Sequence, residues 1–363
     1  MWLAHDYNPI SPSSLAIAPL QPTHSRQERN CNGQFMNLPT VSAAARRLHD
    51  DALVCDLTFP FTDYGRTELK YRMLERMADS GFDYVSLTVG GDWTSLEATM
   101  HAIARERAYF LARPEQYLLV EAAADIEHAK ATGKLAIGLH FQGTNPVGYD
   151  IAMVEPFYKL GIRHMLMAYN LKTPVGDGCQ EATDDGLSRF GRSLVDAMNR
   201  VGMWVDVAHT GHRTSMDVFA HSDRPVIISH ANARALCEHT RNIRDDQIEA
   251  CAKSGGVIGV IAFGPVLGPD EVPIIELMAR HIDHMCKLVG ARHVGLALDL
   301  IYDQSVQNTR IWNPYAHPRP IKDIGPEELV LLTETLIRRG YAEPDIRGIL
   351  GDNWLRIARE IWK

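Results

Sequence analysis

The sequence lacks several features that mark large classes of protein. It has no apolar run approaching the ~18 residues of a membrane-spanning helix, so we expect no transmembrane segment and no membrane partner. Its N-terminus has none of the basic, apolar and small-residue regions of a signal peptide. Its six cysteines form no CxxC pair and no dense framework. This usage predicts reduced thiols in a cytoplasmic protein.

Neither acidic nor basic residues dominate the sequence. The net charge of the 363 residues is −8, and no long run of Lys or Arg occurs. This balance argues against a nucleic-acid partner or an anionic membrane surface. With 45% hydrophobic residues the chain can bury a large core. We therefore expect an ordinary globular protein with a small-molecule substrate.

The first 35 residues differ in composition from the rest. They are rich in Pro, Ser, Asn and Gln and have no sustained hydrophobic period, which is typical of a disordered or loosely packed extension. From residue 40 the pattern becomes helical and leads into a first apolar run. We expect two parts, an N-terminal extension over residues 1–35 and a single domain over residues 36–363.

Within residues 36–363, short apolar runs alternate with helical segments. Continuous apolar strands separated by helices indicate a parallel sheet that is buried on both faces. Eight such strands predict an α/β fold of the (β/α)8 TIM-barrel type. The runs cover residues 53–56, 84–89, 135–140, 164–168, 204–208, 226–229, 257–263 and 294–298.

Two of these runs end in histidines, His209 in MWVDVAHTG and His230 in PVIISHANAR. The carboxyl ends of the strands of a parallel barrel open onto one face, where barrel enzymes place their active sites. Two neutral imidazoles on neighbouring strands would supply half of a zinc site. The alternative is a pair of histidines bonded to backbone or carboxylate partners. His140 and Gln142 alternate at the end of another run, so their side chains can share a face.

Other polar residues follow strand ends as well. Tyr169 and Asn170 follow the fourth run, and Asp299 closes the last one, VGLALDL. A carboxylate at that position can act as a base or a metal ligand, or form a salt bridge with Arg241. Arg241, in HTRNIRDD, can clamp a substrate carboxylate, although a surface arginine is the commoner interpretation of the residue alone.

Four linked segments resemble a known family. They are GLSRFGRSLVDAMNRVGMWVDVAHTG, PVIISHANARALCEHTRNIRDD, VGARHVGLALDL and LGDNWLRIARE. In this order and spacing they resemble the renal (membrane) dipeptidase family of zinc peptidases, in the amidohydrolase superfamily, over about residues 50–361. The resemblance implies a TIM barrel of the metallo-dependent hydrolase type and favours a homodimer.

The resemblance also implies roles for individual residues. His209 and His230 match two histidines that bind one zinc ion in the family. Arg241 matches the arginine that holds the substrate carboxylate. Asp299 matches the proposed proton acceptor.

Other positions depart from the family pattern. Where the family has His-x-Asp after the first strand, the stretch CDLTFPF places Thr58 and Pro60. Gln142 replaces a bridging glutamate, and Tyr169 replaces a histidine that contacts substrate. Carboxylate ligands offset the charge of two ions, so their loss leaves too few ligands for a binuclear site. We expect at most one zinc ion, held by His209 and His230 with help from Gln142, His140, Asp299 or water, or a site without metal.

Three functions are consistent with these residues. The first is hydrolysis of a small amide, such as a dipeptide or an N-acyl amino acid. In this hypothesis Asp299 moves the proton, Tyr169 donates to the oxyanion, and Arg241, Gln142 and Asn170 contact the substrate. The second is a lyase, isomerase or metal-free reaction on the same scaffold. The third is a non-catalytic pocket protein. Substrate choice is expected to depend on loops 143–150 and 303–322.

Overall fold

The structure is a computed structural model that describes residues 28–29, 35–36, 40–60, 67–300 and 324–363. Contacts divide the chain into two compact units, Met1–Leu38 and Pro39–Lys363. In the first unit, β1 (Glu28–Arg29) pairs antiparallel with β2 (Phe35–Met36). Most of the predicted extension over residues 1–35 lies outside the described residues, and so does the whole of loop 303–322.

The second unit is a barrel of parallel strands, as predicted. One sheet has the order β3-β4-β6-β7-β8-β9, and β10 pairs with β11. A parallel bridge between Ile228 and Ile258 joins β9 to β10. The strands are β3 (Cys55–Phe59), β4 (Tyr84–Gly91), β5 (Tyr117–Leu119), β6 (Leu135–Gln142), β7 (Ile162–Leu166), β8 (Trp204–Asp206), β9 (Val226–Ile227), β10 (Ile258–Val260) and β11 (Val294–Leu296).

Each of the eight predicted runs overlaps a strand of this barrel. The additional strand β5 pairs with the first half of β6 and was not predicted. Its three residues are too few to show a period that distinguishes a strand from a helix end.

Helices follow the strands and cover the outside of the barrel. Serine hydroxyls cap three of them at the amino end, with Ser42, Ser95 and Ser188 accepting the N–H of the residue three positions on. Among the described residues, no helix has the length and apolar character needed to cross a bilayer. The helices are α1 (Ala43–Asp51), α2 (Thr67–Asp79), α3 (Leu96–Leu111), α4 (Ala123–Ala131), α5 (Val154–Lys159), α6 (Arg189–Val201), α7 (His212–His221), α8 (Asp245–Lys253), α9 (Ile274–Val289), α10 (Leu329–Arg338), α11 (Glu343–Arg347) and α12 (Asn353–Ile361).

Side chains alternate between the two faces of each strand. On β4, Val85 and Leu87 belong to the large apolar cluster that also contains most of the helix residues. Tyr84 belongs to a second cluster, with Trp204 of β8 and Trp354 of α12, which fills the amino-terminal end of the barrel. Beyond this apolar layer, the inward positions toward the carboxyl ends of the strands are polar.

Asp56 closes the barrel between its first and last strands. Its Oδ1 accepts the N–H of Thr58 at 3.1 Å and the N–H of Leu298 at 2.9 Å. The N–H of Asp299 in turn donates to the carbonyl of Thr58. Asp56 is fully buried, and its Oδ2 has no partner. Burial raises the pKa of Asp56 to about 7, while the two backbone N–H groups oppose this shift and Asp299 adds to it.

Replacing Asp56 by asparagine should change how stability depends on pH. Because the pKa is raised on folding, the wild-type carboxyl stabilises the fold when protonated and loses this contribution as pH rises from about 4 to 7. The unfolding free energy of Asp56→Asn should therefore improve relative to wild type over this window, by at most about 1.4 kcal/mol per pH unit. Thermal or denaturant unfolding at a series of pH values measures it. Asp51→Asn on the exposed face of α1 is the control, and parallel curves for Asp56→Asn and wild type would contradict the prediction.

Candidate active site

The predicted site residues lie together beyond the carboxyl ends of the strands. Asn170, His209 and Asp299 are the only non-glycine residues with positive φ in the described part of the chain, at 61°, 61° and 55°. Such backbone costs about 1 kcal/mol or more per residue and is common at functional sites. The sequence predicts all three as site residues.

A short segment holds two of these strained residues in place. The N–H of Cys179 donates to the carbonyl of His209 at 2.8 Å, and the N–H of Gln180 donates to the carbonyl of Asn170 at 2.9 Å. Gly178 lies so close to Asn170 that a Cβ there would stand 2.0 Å from the Asn170 carbonyl carbon. Only glycine fits this approach, which lets one segment stabilise both carbonyls.

His209 and His230 face each other. Their Nε2 atoms are 3.0 Å apart, and the other ring nitrogens are occupied: Nδ1 of His209 lies 2.7 Å from Oδ1 of Asn170, and Nδ1 of His230 lies 2.7 Å from the Ser229 hydroxyl and 3.2 Å from that of Thr58. Burial, and then the charge of Arg241, hold the pKa of both imidazoles well below the usual range. Both rings are therefore neutral near pH 7, the form that binds metals.

The geometry of this histidine pair suits the binding of one metal ion, but the pair alone does not complete a metal site. Two zinc ligands at about 2.0–2.1 Å from the ion stand a little over 3 Å apart, and polar partners on Nδ1 are the usual support for Nε2 ligation. However, the described residues contain no group of three or more His, Cys, Asp or Glu side chains placed to hold an ion. The described residues therefore supply two nitrogen ligands to an ion at this position.

Two residues that were expected to assist in metal binding, His140 and Gln142, form hydrogen bonds with hydroxyl groups instead. Both nitrogens of His140 lie 2.9 Å from hydroxyls, of Ser86 and of Thr88, so this ring has no free nitrogen for a metal. Gln142 donates from Nε2 to the same Thr88 hydroxyl at 2.9 Å. The two side chains share a face, as their alternation predicts.

Arg241 is buried, with 7% of its surface exposed. The interpretation as a surface arginine is therefore wrong, because the loop after β9 folds back over the strand end. Its Nη2 donates to the carbonyl of His230, and its Nη1 is buried without a partner. A cavity of about 240 Å³ adjoins it and is lined by His209, Arg241, Cys179, Thr210, Arg234 and Arg244. The guanidinium thus has an unused donor next to a space of ligand size.

Asp299 is the titratable carboxyl of the site. Burial raises its pKa to about 6, and the charge of Arg241 opposes the shift. A carboxyl in this range is ionised at neutral pH yet basic enough to take up a proton. Its left-handed backbone and its N–H bond to Thr58 fix the start of its side chain.

Tyr169 stacks on His209, with ring centroids 4.2 Å apart and planes 25° apart. Trp93 packs edge-on against the other side of Tyr169 at 4.8 Å. The carboxylate of Asp92 fixes this wall, since Oδ2 accepts the N–H of Tyr169 and Oδ1 accepts the N–H of Thr144. The histidine of the site thus lies against an aromatic wall.

Several residues that support the site were not singled out from the sequence. Ser86, His164 and Asp206 are fully buried polar residues of the strands YVSLTVGG, IRHML and WVD. The available signal was a polar residue within each otherwise apolar run. His212 and His221 are half-buried and paired with carboxylates away from these strands.

The sequence model of the membrane dipeptidases (peptidase family M19) matches residues 62–363. The chain belongs to this family. It is 33% identical over 240 residues to an uncharacterised dipeptidase of Schizosaccharomyces pombe, a match that covers 64% of this chain and 53% of that protein. It is 28% identical over 251 residues to dipeptidase 3 of Rattus norvegicus, which covers 68% of this chain and 49% of that protein.

The chain thus spans about half the length of these dipeptidases. Among solved structures, an amidohydrolase from Pseudomonas aeruginosa is 31% identical, with a TM-score of 0.79 over 88% of this chain and 99% of that one. The resemblance drawn from the four sequence segments is confirmed, and so is the barrel fold. The roles of the individual site residues remain predictions.

Proposed function

We propose that this protein hydrolyses the amide bond of a small substrate with a free carboxylate, a dipeptide or an N-acyl amino acid, using at most one zinc ion. The observation that carries the proposal is the facing pair His209 and His230, together with a cavity lined by His209 and by the buried Arg241, whose Nη1 has no partner. Membership of the membrane dipeptidase family supports the reaction class.

The charges of the site support one ion rather than two. A second divalent ion would require carboxylates, and the positions that would hold it carry Thr58, Pro60 and Gln142. Thr58 already bonds His230. With Arg241 buried nearby, Asp299 is a carboxylate that can balance one added positive charge.

The residues of the chain divide the work as follows. Nη1 of Arg241 binds the substrate carboxylate and so places the scissile amide near the histidine pair. Zinc bound by His209 and His230 would polarise the carbonyl or lower the pKa of a water molecule. Asp299 takes the proton of the attacking water and returns it to the leaving amine. Tyr169, held by Asp92 and Trp93, donates to the developing oxyanion.

One observation favours a second candidate, acid-base chemistry without metal. The hydrogen bonds of the histidine pair are complete without an ion, since Nδ1–H of His209 can donate to Asn170 and Nε2–H of His230 to Nε2 of His209. In that case the pair would act as an imidazole base in a lyase or isomerase reaction.

Metal content separates the two candidates. Protein purified without added metal should contain about one zinc per chain by elemental analysis, because two imidazoles plus water or substrate can complete a tetrahedral site. His209→Ala should lose this zinc, whereas His221→Ala, which changes a surface histidine paired with Asp196, should retain it. Two ions per chain would refute the reduced site, and none would favour the metal-free candidate.

The activity should depend on ionised Asp299. With a pKa of about 6, kcat/KM should fall about tenfold per pH unit below pH 6, and Asp299→Asn should lose about 10²–10⁴-fold in kcat. Steady-state kinetics on a dipeptide library between pH 4.5 and 8 measures both. Asp56→Asn is the matched control, because it removes another buried carboxyl whose pKa is raised into the same range. Loss of the acidic limb in Asp56→Asn, or activity in Asp299→Asn, would refute the assignment.

Arg241 should act on the substrate carboxylate. Arg241→Ala should raise KM on the order of a hundredfold for substrates with a free carboxylate, since a desolvated charge pair is worth several kcal/mol. The same substrates with an amidated terminus should show a much smaller change. Arg244→Ala, which alters an exposed arginine of the same cavity, controls for general charge effects. Equal losses on both substrate forms would contradict the role.

A further inference from the structure

A line of polar side chains crosses the interior of the barrel from β8 to the end of β6. TIM-barrel interiors are usually filled by branched aliphatic residues, so a buried polar line of this length needs an explanation. Each side chain in it is hydrogen-bonded to the next, and none is more than 4% exposed: Asp206, His164, Ser86, His140, Thr88 and Gln142.

The first half of the line has a defined direction. Oδ2 of Asp206 lies 3.1 Å from Nδ1 of His164, and a carboxylate only accepts, so His164 carries its proton on Nδ1. When the ring carries this single hydrogen, its Nε2 accepts from the Ser86 hydroxyl at 3.1 Å. Having donated its one hydrogen, Ser86 accepts from Nδ1 of His140 at 2.9 Å.

The second half continues in the same sense. With its proton on Nδ1, neutral His140 accepts at Nε2 from the Thr88 hydroxyl at 2.9 Å. Thr88 then has only lone pairs left for its neighbour, and Nε2 of Gln142 donates to it at 2.9 Å. Every bond from Gln142 to Asp206 therefore points the same way.

We propose that Thr88, His140, Ser86 and His164 are positioning residues that fix the orientation of the Gln142 amide. Its nitrogen is committed to Thr88, so Oε1 is the atom left to contact a ligand at the strand end. The site thus receives a neutral acceptor of fixed direction from β6. The line of hydrogen bonds orients the Gln142 amide and does not conduct protons, because an amide neither takes up nor releases a proton near neutral pH.

The same direction explains why glutamine suits position 142. An ionised glutamate has no hydrogen for Thr88, so Thr88 would have to donate to it and His140 would have to move its proton to Nε2. The reversal would pass through Ser86 and end at His164, whose Nδ1 would then face the Asp206 carboxylate with two lone pairs opposed. A carboxylate at 142 would therefore require an additional proton in the line, within a buried and nearly solvent-free space.

The carboxylate that ends the line also holds the histidine pair. Oδ1 of Asp206 accepts the N–H of Ala208 at 2.9 Å and of Ser229 at 3.0 Å, the residues that precede His209 and His230. The side chains of Gln142, His209 and His230 are thus all positioned through hydrogen bonds to the buried carboxylate of Asp206. This inference does not depend on which bond the enzyme breaks.

The experiment is ¹⁵N NMR of the full-length protein labelled at histidine, with His140 and His164 assigned from the spectra of His140→Gln and His164→Gln. Both rings should carry their hydrogen on Nδ1 and have an unprotonated Nε2. Hydrogen on Nε2 of either ring would overturn the proposed direction.

Thr88 variants test the effect on Gln142. In protein labelled with ¹⁵N-glutamine, the Gln142 side-chain amide should be protected from solvent exchange in wild type and in Thr88→Ser, which retains the hydroxyl. Thr88→Val has nearly the same shape but no acceptor, and it should lose this protection and the Nδ1–H preference of His140. Unchanged protection in Thr88→Val, or its loss in Thr88→Ser, would overturn the proposal. Neither readout uses activity, so a wrong substrate class would leave this result intact.

Discussion

The structure of the barrel toward the carboxyl ends of its strands depends on the hydrogen bonds that the Asp206 carboxylate accepts. This carboxylate is wholly buried, and it binds the backbone at the ends of two adjacent strands together with one imidazole. These bonds replace ladder hydrogen bonds that β8 and β9, at three and two residues, are too short to provide. Removing such an acceptor would leave two N–H groups and an imidazole unsatisfied in a medium of low dielectric, at a cost of about 1–3 kcal/mol for each.

The barrel interior therefore has two layers, one held by apolar packing and the other by hydrogen bonds. Near the amino ends of the strands, Tyr84, Trp204 and Trp354 pack by apolar contact and tolerate any arrangement of similar volume. Nearer the site, geometry is set by directional bonds that allow a single arrangement of donors and acceptors. The site residues are positioned by the hydrogen-bonded layer, and this layer packs on the apolar layer. Precise placement is thus obtained where the chemistry needs it and compact packing where it does not.

The fold could largely be predicted from the sequence because buried parallel strands have a continuous apolar signal that helices interrupt. The strand ends also identified His209, His230, Asn170 and Asp299, because barrel topology alone brings such positions to one face. Burial of Arg241 could not be predicted, since it depends on the path of a loop after β9. The polar line was missed because Ser86, Thr88 and His164 are individually ordinary in strands. Only the register between β4, β6 and β7 places them in contact.

The left-handed backbone at Asn170, His209 and Asp299 has a consequence for the evolution of this protein. These positions are restricted by conformation, which disfavours β-branched residues there whatever their chemistry. Glycine would relieve the strain at each of them and would remove the side chain. Under the proposed function, stability and activity therefore place opposite demands on the same three residues.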